Sequence, residues 1–511
     1  MSFNVGLNVV EVDGKVAPSI QAAPTSVAAM IIRSARGLPG EVYRVTNWSE
    51  FIEHFGGYLD GAFGAYAMRG FIDNGGAVAY VTRVVDDAVA DAATETFNDA
   101  GGASLTVTAG YRGRPDPGAW GNNLSIRIAP NPETEGTYDL FVAQTTAGKR
   151  TTVETWEKLN HSTAAGAPGV HPETAVNDEF TGSKFIIVNE DAATNPSTTV
   201  GAAGADADGF VPLAGGAEDS LAGDPLQNAL VAALPRFDVH KVQLVVCPET
   251  DSATVVAAAL AYCENRGDCM FVGHTPLGHD AGASKTYVIS QGFQGNKVYG
   301  AIYFPWIRVA DPIGTQKWIP PTGHILGVYA RTERERGIWK APAGNAAKVN
   351  GALDVRHHIT DPVHTDLVKN GSVNAVRFIP GQGIVIDSSR TLSTNSIWLY
   401  VNIRLLFNFV KSSLMGGLRW VVQEPNDQTL WNKVKFNSVT PFLMGLWRRG
   451  AFGSGLPEET FTVKIDSENN PPASVQLGIL NIEVYFYPVR PAETIVITVG
   501  QQESGASASE G

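Results

Sequence analysis

The chain has 511 residues, enough for about three domains, and its 38 Lys and Arg against 51 Asp and Glu give a formal net charge of −13. This acidity argues against a nucleic-acid-binding protein, because such a protein needs a basic surface. Charged residues make up only 17% of the chain, whereas an average domain has about 25%. We therefore expect much of the surface to be buried in an assembly.

The cysteines Cys247, Cys263 and Cys269 are too few for a disulfide framework and match no metal-ligand spacing. We expect them to be reduced residues of the core. The N-terminus does not resemble a signal peptide, and no apolar run approaches the ~20 residues of a membrane helix. The sequence thus predicts a chain that is made and assembled in the cytoplasm, without direct membrane insertion.

The beginning of the chain predicts an arm and a small α+β unit. Residues 1–24 form the N-terminal arm, with a strand over 4–11 and an extended linker over 14–24. Residues 25–85 alternate, with strands over 26–32, 42–45 and 78–85 and helices over 48–55 and 62–73, the first opened by Asn47 with Glu50 as a capping box. This unit lacks neighbours of its own, so we expect residues 391–490 to complete it as one discontinuous module.

The middle of the chain contains two segments that differ in composition and pattern. Residues 86–213 are rich in Ala, Thr, Gly and Asp with short alternating runs, which predicts an inserted all-β domain at the surface. Residues 214–390 alternate strands and helices and end in a hairpin that turns at 380–383. That rhythm predicts a central α/β domain with a parallel, doubly wound sheet.

The stretch 391–490 is predicted to be α+β. Its expected elements are a helix that begins at Asn395 or Ser396 and ends at Gly416 and Gly417, a strand over 418–422, a helical run over 428–449 kinked at Pro441, and strands over 461–465 and 475–487, the last with a bulge at Ile479.

The C-terminal arm, residues 491–511, holds a predicted strand over 494–499 and a tail of Ser, Gly, Ala and Glu after a spacer with Pro488 and Pro491. A strand beyond such a spacer has unpaired edges and can be donated to another subunit. The alternative, a strand that folds back onto its own sheet, is the simpler interpretation of these residues alone.

No nucleotide site is predicted in the doubly wound part or elsewhere. Gly148-Lys149 lacks the earlier glycine of a phosphate-binding loop, because Ala143 stands there, and Arg150 replaces the hydroxyl that holds magnesium. Gly381 and Gly383 are followed by Ile386 where a dinucleotide loop needs glycine. We expect no cofactor.

Two clusters have catalytic or metal-binding residue types. His274, His279, Asp280 and Ser284 resemble a serine-hydrolase triad in composition, but triad members converge from separate elements and the chain has no G-x-S-x-G turn. We expect no enzyme activity from them.

The second cluster consists of His357, His358, Asp361 and His364. Its spacing matches no metal-ligand set, and we expect Pro362 to break any helix that would align the side chains. A solvated loop without a metal is therefore the prediction.

Motifs along most of the chain resemble one family, the sheath subunits of contractile phage tails and related contractile injection particles. Each motif is weak alone, but their order is specific. They are Thr25 to Ala29, Val45 to Phe51, Phe55 to Gly57, Arg69 to Gly76, Pro117 to Asn122, Tyr303 to Trp306, Pro320 to Gly323, Gly327 to Arg331, Arg336 to Pro342, Arg390 to Ser393, Tyr400 to Arg404, Glu424 to Asp427 and Pro491 to Glu493.

The resemblance implies a structural protein with a subtilisin-like central domain that lacks catalytic residues. It implies that the subunits form a helical sleeve around an inner tube protein, bounded by baseplate and terminator proteins, and that the sleeve shortens to drive the tube into a target. It also implies that both arms pair with neighbouring subunits. The residues expected to do so are Val5, Leu7, Val9, Glu11, Thr494, Ile495, Val496, Ile497, Thr498 and Val499.

By the same resemblance, residues 391–490 line the inner wall of the sleeve. Lys433, Lys435, Arg448 and Arg449 are therefore the expected tube-facing residues, since no acidic residue lies between Leu430 and Gly450. The alternative is a solvated helix surface on which the arginines complement the helix C-terminus. Alternatives for the whole chain are a secreted or surface serine hydrolase and a non-contractile adhesin.

Overall fold

The computed structural model of the protein describes residues 19–493 except 87 and 220. The predicted arm strands over 4–11 and 494–499 lie outside the described residues.

The N-terminal unit has the predicted order of elements. They are β1 (Ala28–Ile32), β2 (Val42–Val45), α1 (Trp48–Phe55), α2 (Gly64–Asp73) and β3 (Ala79–Arg83). Asn47 is confirmed as the N-cap of α1, because its side chain accepts from Glu50 N at 3.0 Å. The Glu50 carboxylate accepts from Thr46 N at 2.7 Å, one residue before the N–H that a capping box uses. Local sequence therefore determines this helix start.

The insertion forms two four-stranded antiparallel sheets around a core of its own. Its elements are β4 (Thr94–Asn98), β5 (Ala103–Tyr111), β6 (Arg114–Pro115), β7 (Leu124–Pro130), β8 (Tyr138–Thr146), β9 (Lys149–Leu159), α3 (Pro172–Val176), β10 (Ile186–Glu190) and β11 (Val211–Pro212). One sheet has the order β10-β5-β4, with β6 beside β5, and the other β11-β7-β8-β9. The β-rich character predicted for this stretch agrees with that arrangement.

The central part alternates strands and helices as predicted. It comprises α4 (Gly223–Ala233), β12 (Leu244–Val246), α5 (Ala253–Arg266), β13 (Met270–His274), α6 (Ala281–Ser290), β14 (Gly300–Phe304), β15 (Ile307–Ala310), β16 (Gln316–Ile319), α7 (Thr322–Arg336), β17 (Ala352–Val355), α8 (Asp361–Gly371), β18 (Val373–Ile379) and β19 (Gly383–Ile386). Cys247, Cys263 and Cys269 are free and buried here, as expected.

One eight-stranded sheet joins the N-terminal and central parts, in the order β19-β18-β14-β13-β12-β1-β3-β2. β1 is buried along its whole length and pairs in parallel with β12 on one side and β3 on the other. Residues 391–490 share a hydrophobic core with the N-terminal unit but contribute no strand to its sheet. The neighbours of the N-terminal strands come from the central part, because a strand buried on both faces belongs inside a parallel sheet.

The last part packs helices against the body and ends in a small sheet. It comprises α9 (Val401–Gly417), α10 (Gln428–Asn432), α11 (Thr440–Arg448), α12 (Pro457–Thr460), β20 (Phe461–Lys464), α13 (Pro472–Gln476) and β21 (Glu483–Phe486). A π-helical stretch, Lys433–Val439, joins α10 to α11 just before Pro441. The helical run is therefore irregular just before this proline, whose missing N–H cannot bond to the preceding turn, while the kink predicted at Pro441 stays a prediction.

Three predictions for this part are wrong. α9 begins at Val401, because Asn395 instead closes a turn by accepting from Ile397 N at 2.9 Å. Residues 419–421 form a 3-10 turn and not a strand. The strand expected over 475–487 is shortened to β21 by α13, whose Pro472 lies at the first helical turn, where proline is favoured, and which is followed by Gly478 at φ +73°.

Candidate functional site

The N-terminal arm joins the body at the C-terminal end of α9. Ile20 is buried against Gly417, and Ala23 N donates to Ser413 Oγ at 2.9 Å. A few residues later the Ser26 hydroxyl donates to the Glu333 carboxylate of α7. We call residues 19–26 the N-terminal root.

The C-terminal arm joins the body near the other end of α9. Arg390 Nε and Nη2 donate to the two carboxylate oxygens of Glu493 at 2.7 and 2.5 Å. Burial opposes ionisation of Glu493, but hydrogen bonds from Arg390 and Tyr400 lower its pKa below the ordinary value. We call the Arg390–Glu493–Tyr400 contact the clasp.

The clasp is fixed to the central sheet through a buried asparagine. Asn374 on β18 accepts from Arg390 N at 2.6 Å and donates to Arg390 O at 2.7 Å. Arg390 also forms a backbone bridge with Tyr400, the residue that precedes α9. The position of Glu493 is therefore set by both the sheet and the helix.

Helix α9 separates the N-terminal root from the clasp. Tyr400 and Ser413 are thirteen positions apart, which corresponds to about 20 Å along a helix. In between, Arg404 is sandwiched at 4.1 Å from the ring centroids of both Tyr299 and Trp398, and burial lowers its pKa to about 10. The helix is thus a firmly packed spacer between the N-terminal root and the clasp.

Beside α9 lies a sheet that has room for more strands. β20 and β21 pair only with each other among residues 19–493, so each has an edge without a strand partner. An apolar cavity of about 400 Å³ runs between this sheet and α9, lined by Phe407, Val410, Lys411, Leu414, Met415, Leu418, Ile482, Val484 and Phe486. Such edges and apolar surface are a template for strand addition.

The four expected tube-facing residues do not form one cluster. Arg448 and Arg449 are exposed at the end of α11, and Arg449 stacks over Trp339 at 5.2 Å. Lys433 and Lys435 are half-buried near the π-helical stretch, with Lys433 4.7 Å over Trp420. None of the four forms an ion pair within the part of the chain that the structure describes.

The triad residue types do not assemble. Ser284 is fully buried in α6, and its hydroxyl has no hydrogen-bond partner among the described residues. Asp280 caps α6 by accepting from Ala283 N at 2.8 Å, and burial lowers the pKa of His274 to about 3. The cluster is part of the fold at the end of β13 and has no base next to the serine.

The second histidine cluster is also structural. Pro362 lies in the first turn of α8, where no proline N–H is needed, so His357 and His358 precede the helix and no helix aligns the four side chains, as predicted. The predicted loop is wrong for Asp361 and His364, which belong to α8. Arg377 binds the carboxylates of Asp361 and Asp387, each at 2.6 Å. No group of three or more potential metal ligands occurs within residues 19–493 apart from 87 and 220.

Sequence reasoning missed the contact that joins the insertion to the body. Asp116 is almost fully buried between Arg36, at 3.2 Å, and Arg83, at 3.3 Å, and also accepts from Gly37 N at 2.8 Å. The Arg36 guanidinium stacks on Trp120 at 4.0 Å. The motif from Pro117 to Asn122 lies directly after this aspartate, but nothing in its spacing reveals a buried ion pair.

Two further motifs are two sides of one helix crossing, α2 against α7. Asn74 accepts from Asn350 N at 2.8 Å and its backbone carbonyl accepts from Arg331 at 3.2 Å. Gly327 has the Phe71 carbonyl next to it, so that the backbones approach closely. These motifs therefore stabilise the fold.

No described helix is both long and apolar enough to cross a membrane.

Solved structures with this architecture define its class. One match, to the sheath complex of an extracellular contractile injection system in the contracted state, covers 98% of this chain and 99% of the other, with a TM-score of 0.59 and 16% identity. Another match, to the Listeria innocua sheath tail protein, covers 88% of this chain and 90% of the other, with a TM-score of 0.62 and 12% identity. At these identities the likeness is one of fold, a mixed α/β fold shared with sheath proteins.

The sequence comparisons give the family. Residues 224–392 match the phage tail sheath protein central domain, and residues 393–502 match the phage tail sheath C-terminal domain. The tail sheath protein of Enterobacteria phage T4 is 25% identical over 197 residues, 38% of this chain and 28% of that protein. A putative prophage major tail sheath protein of Pseudomonas aeruginosa is 22% identical over 270 residues, 52% of this chain and 66% of that protein.

The chain belongs to the phage tail sheath family. The match spans about a quarter of the length of several curated relatives, including the phage T4 protein and the 24% identical tail sheath protein of Vibrio phage KVP40.

Proposed function

We propose that this protein is the structural subunit of a contractile sheath, which polymerises around an inner tube and contracts to drive the tube into a target envelope. The observation that carries the proposal is the arrangement around α9. The first and the last described residues are both held at this one helix, next to a two-stranded sheet whose edges are open within residues 19–493. A self-contained enzyme or adhesin has no use for such a pattern.

Relatives of the same fold support this reading. One similar structure is described as the sheath complex of an extracellular contractile injection system in the contracted state, and another as the helical sheath of the anti-feeding prophage in the contracted state. A third is described as the baseplate of the anti-feeding prophage. The proposed partners are accordingly further copies of this chain, an inner tube protein, and baseplate and terminator proteins.

In the sleeve, the arms of one subunit pair with the small sheet of another. The donated residues are those of the predicted strands, Val5 to Glu11 and Thr494 to Val499. The acceptors are the open edges of β20 and β21, where Tyr485 is 61% exposed and the adjoining cavity is apolar. Backbone hydrogen bonds supply the affinity of such a pairing, and alternate side chains in the cavity supply its register.

The wall that faces the tube is the α10–α11 run. Arg448 and Arg449 are its exposed cations, and Lys433 and Lys435 lie about 20 Å away along the same run. An acidic tube surface would complement them. The sheath assembles in the bacterial cytoplasm, and its central domain is a subtilisin-like scaffold whose parallel sheet has a structural role only.

Electron microscopy of the purified chain tests the proposal. With tube protein present, we expect striated sleeves in a long and a short form. Deleting residues 494–511 or 1–14 leaves a folded subunit that forms no sleeves, since only pairing between subunits is lost. Sleeves of normal length from both deletion variants contradict the proposal, as does a wild-type chain that forms none.

A further inference from the structure

The clasp joins residues that lie far apart in the sequence. Arg390 follows β19, Tyr400 precedes α9, and Glu493 is the last described residue before residues 494–511. The Arg390 side chain is 11% exposed and that of Glu493 27%. Because the contact is bidentate and partly sheltered from water, it is both directional and stronger than an exposed ion pair.

We propose that Arg390 is a positioning residue for the C-terminal arm: through the clasp it fixes where and in which direction the arm leaves the body, and sleeve assembly depends on that direction. This inference rests on the proposed function. It assigns a role to a contact between two segments that sequence motifs alone leave unconnected.

The first supporting step is the rigidity behind Arg390. Its backbone N–H and C=O both bond to the side chain of Asn374, a fully buried residue of β18. The guanidinium then extends from that fixed backbone to the arm. A displacement of the central sheet therefore carries Glu493 with it.

Apart from the clasp, few hydrogen bonds hold the residues just before Glu493. Pro488 and Pro491 have no N–H to donate, and Tyr487 N, which donates to Thr460 O at 2.8 Å, makes the last backbone bond before the clasp. Asn402 Nδ2 donates to Val489 O at 3.2 Å. Without the clasp, the residues from 490 onward keep only loose contacts, and the arm strand samples many directions.

The third step is the cost of that freedom. An arm that must find the edge of a neighbouring sheet pairs more tightly when it is already aimed, because pre-organisation removes part of the ordering entropy. A loss of one charge-assisted bidentate contact thus acts on assembly far more than on the stability of the isolated subunit.

The experiment is a charge exchange. We compare Arg390→Glu, Glu493→Arg and the double variant with both changes, in sedimentation and electron-microscopy assays of sleeve formation with tube protein. The expected result is a loss of about tenfold or more in sleeve yield for each single variant, the equivalent of about 1.4 kcal/mol, and recovery of most of the yield in the double variant. Glu133→Gln, which breaks the exposed Lys158–Glu133 pair of the insertion, is the control and changes nothing.

A second readout separates positioning from folding. A protease that cuts after glutamate should cleave after Glu493 in isolated Arg390→Gln at least several-fold faster than in the wild type, at an unchanged thermal midpoint. Equal cleavage rates, normal sleeves from the single variants, or a double variant that fails like the singles overturn the proposal.

The wild type and the arm-deleted chain are assayed in parallel. If the wild type forms no sleeves, or the arm-deleted chain forms them normally, the proposed function itself fails. If the arm is required and the clasp variants still assemble, only the positioning role fails.

Discussion

The insertion and the C-terminal region differ in net charge. Residues 86–213 contain eighteen acidic and seven basic residues, a net charge of −11, whereas residues 391–490 contain seven acidic and nine basic ones, a net charge of +2. Almost all of the chain's acidity therefore lies in the insertion. Like charge on this scale keeps surfaces apart.

Their exposed apolar residues differ in the same sense. In the described insertion the large exposed hydrophobic residues are Val89, Val170, Phe180 and Val200. The C-terminal region, although shorter, exposes Ile397, Met415, Val422, Phe436, Leu456, Leu477, Ile479, Tyr485, Tyr487 and Val489. Concentrated exposure of this kind marks an interaction surface.

One region is complete on its own and the other is not. The insertion closes its own core and pairs some of its cations internally, namely Arg150 with Asp208 at 2.7 Å and Lys158 with Glu133 at 2.8 Å. The C-terminal region has open sheet edges, exposed aromatic side chains and exposed arginines, which the proposed sheath assembly would cover.

The largest effect is expected at the joint between insertion and body. Asp116→Ala removes the shared counter-ion of Arg36 and Arg83 and leaves two buried guanidinium groups without it. We expect a loss of about 3–5 kcal/mol in the free energy of unfolding, measured by urea titration.

Asp91→Ala is a matched control, since Asp91 is an exposed aspartate of the insertion. A cost below about 1 kcal/mol for Asp116→Ala would show that water reaches the two arginines.

The contact of Asp116 with Arg36 and Arg83 also affects how a deletion of the insertion must be designed. Removing residues 86–213 takes Asp116 away, so a deletion that tests whether the insertion is dispensable also needs uncharged residues at positions 36 and 83.

A pH effect is expected where the N-terminal unit meets the central sheet. Glu249 accepts from Arg33 N at 3.1 Å and Phe63 N at 3.0 Å, and burial raises its pKa from about 4.5 to about 7. The folded state thus holds the proton more tightly than the unfolded state. The stability that this gives is complete below pH 4.5 and is lost as the pH rises through 7.

Glu249→Gln should therefore remove a decline on the order of 3 kcal/mol between pH 5 and 8. The measurement is the free energy of unfolding of both chains across that range. Parallel pH profiles would mean that Glu249 is solvated and does not clamp this junction.

A smaller effect is expected from two helical glycines. A Cβ on Gly327 would lie 2.5 Å from the Phe71 carbonyl oxygen, so Gly327→Ala should cost about 1–3 kcal/mol. A Cβ on Gly445 of α11 would have no atom within 4 Å. Gly445→Ala should stabilise the isolated subunit by about 0.4–1 kcal/mol, measured by thermal unfolding.

The contrast sharpens if Gly445→Ala also weakens the binding of the subunit to tube protein, because the open space at α11 is then filled by a partner. A destabilised Gly445→Ala subunit, or a neutral Gly327→Ala, would show that the two surfaces are not different in the way described.

The smallest effect is expected at the end of α11. Replacing Arg448 and Arg449 with Glu should reduce co-assembly with tube protein, because the changed charges repel an acidic tube. Pairing through the arms should stay intact. The measurement is co-sedimentation over a salt series. A response equal to that of the wild type at all salt concentrations removes these arginines from the tube interface.

Local signals in the sequence predicted most elements but not their assembly. The helix at Asn47 and the buried strand over 28–32 were predictable, because capping and continuous apolar runs are local properties. That this strand pairs with residues 244–246 was not, because nothing in a strand identifies its neighbour. The mistaken strand over 475–487 has a different, local cause, since Pro472 and Gly478 outweighed the alternation around them.

The candidate site divides in the same way. The arms stay a prediction from prolines and terminal β-formers, and the clasp could not be predicted because it joins Arg390 to a glutamate 103 positions away. The four basic residues were predicted as one patch, yet the turns of the helical run separate the lysines from the arginines. Contacts over long sequence distances need the fold.

The central claim is that the arm of one copy pairs with the small sheet of another. Tyr485→Cys and Thr498→Cys are introduced into separate chains, which are mixed, assembled with tube protein and oxidised; Val499→Cys samples the other face of the strand. The native cysteines are buried and do not interfere. The account predicts disulfide-linked dimers of the two different chains in assembled sleeves. A third chain carries both Tyr485→Cys and Thr498→Cys. Sleeves without the mixed dimers, together with a disulfide within this doubly substituted chain, would contradict it.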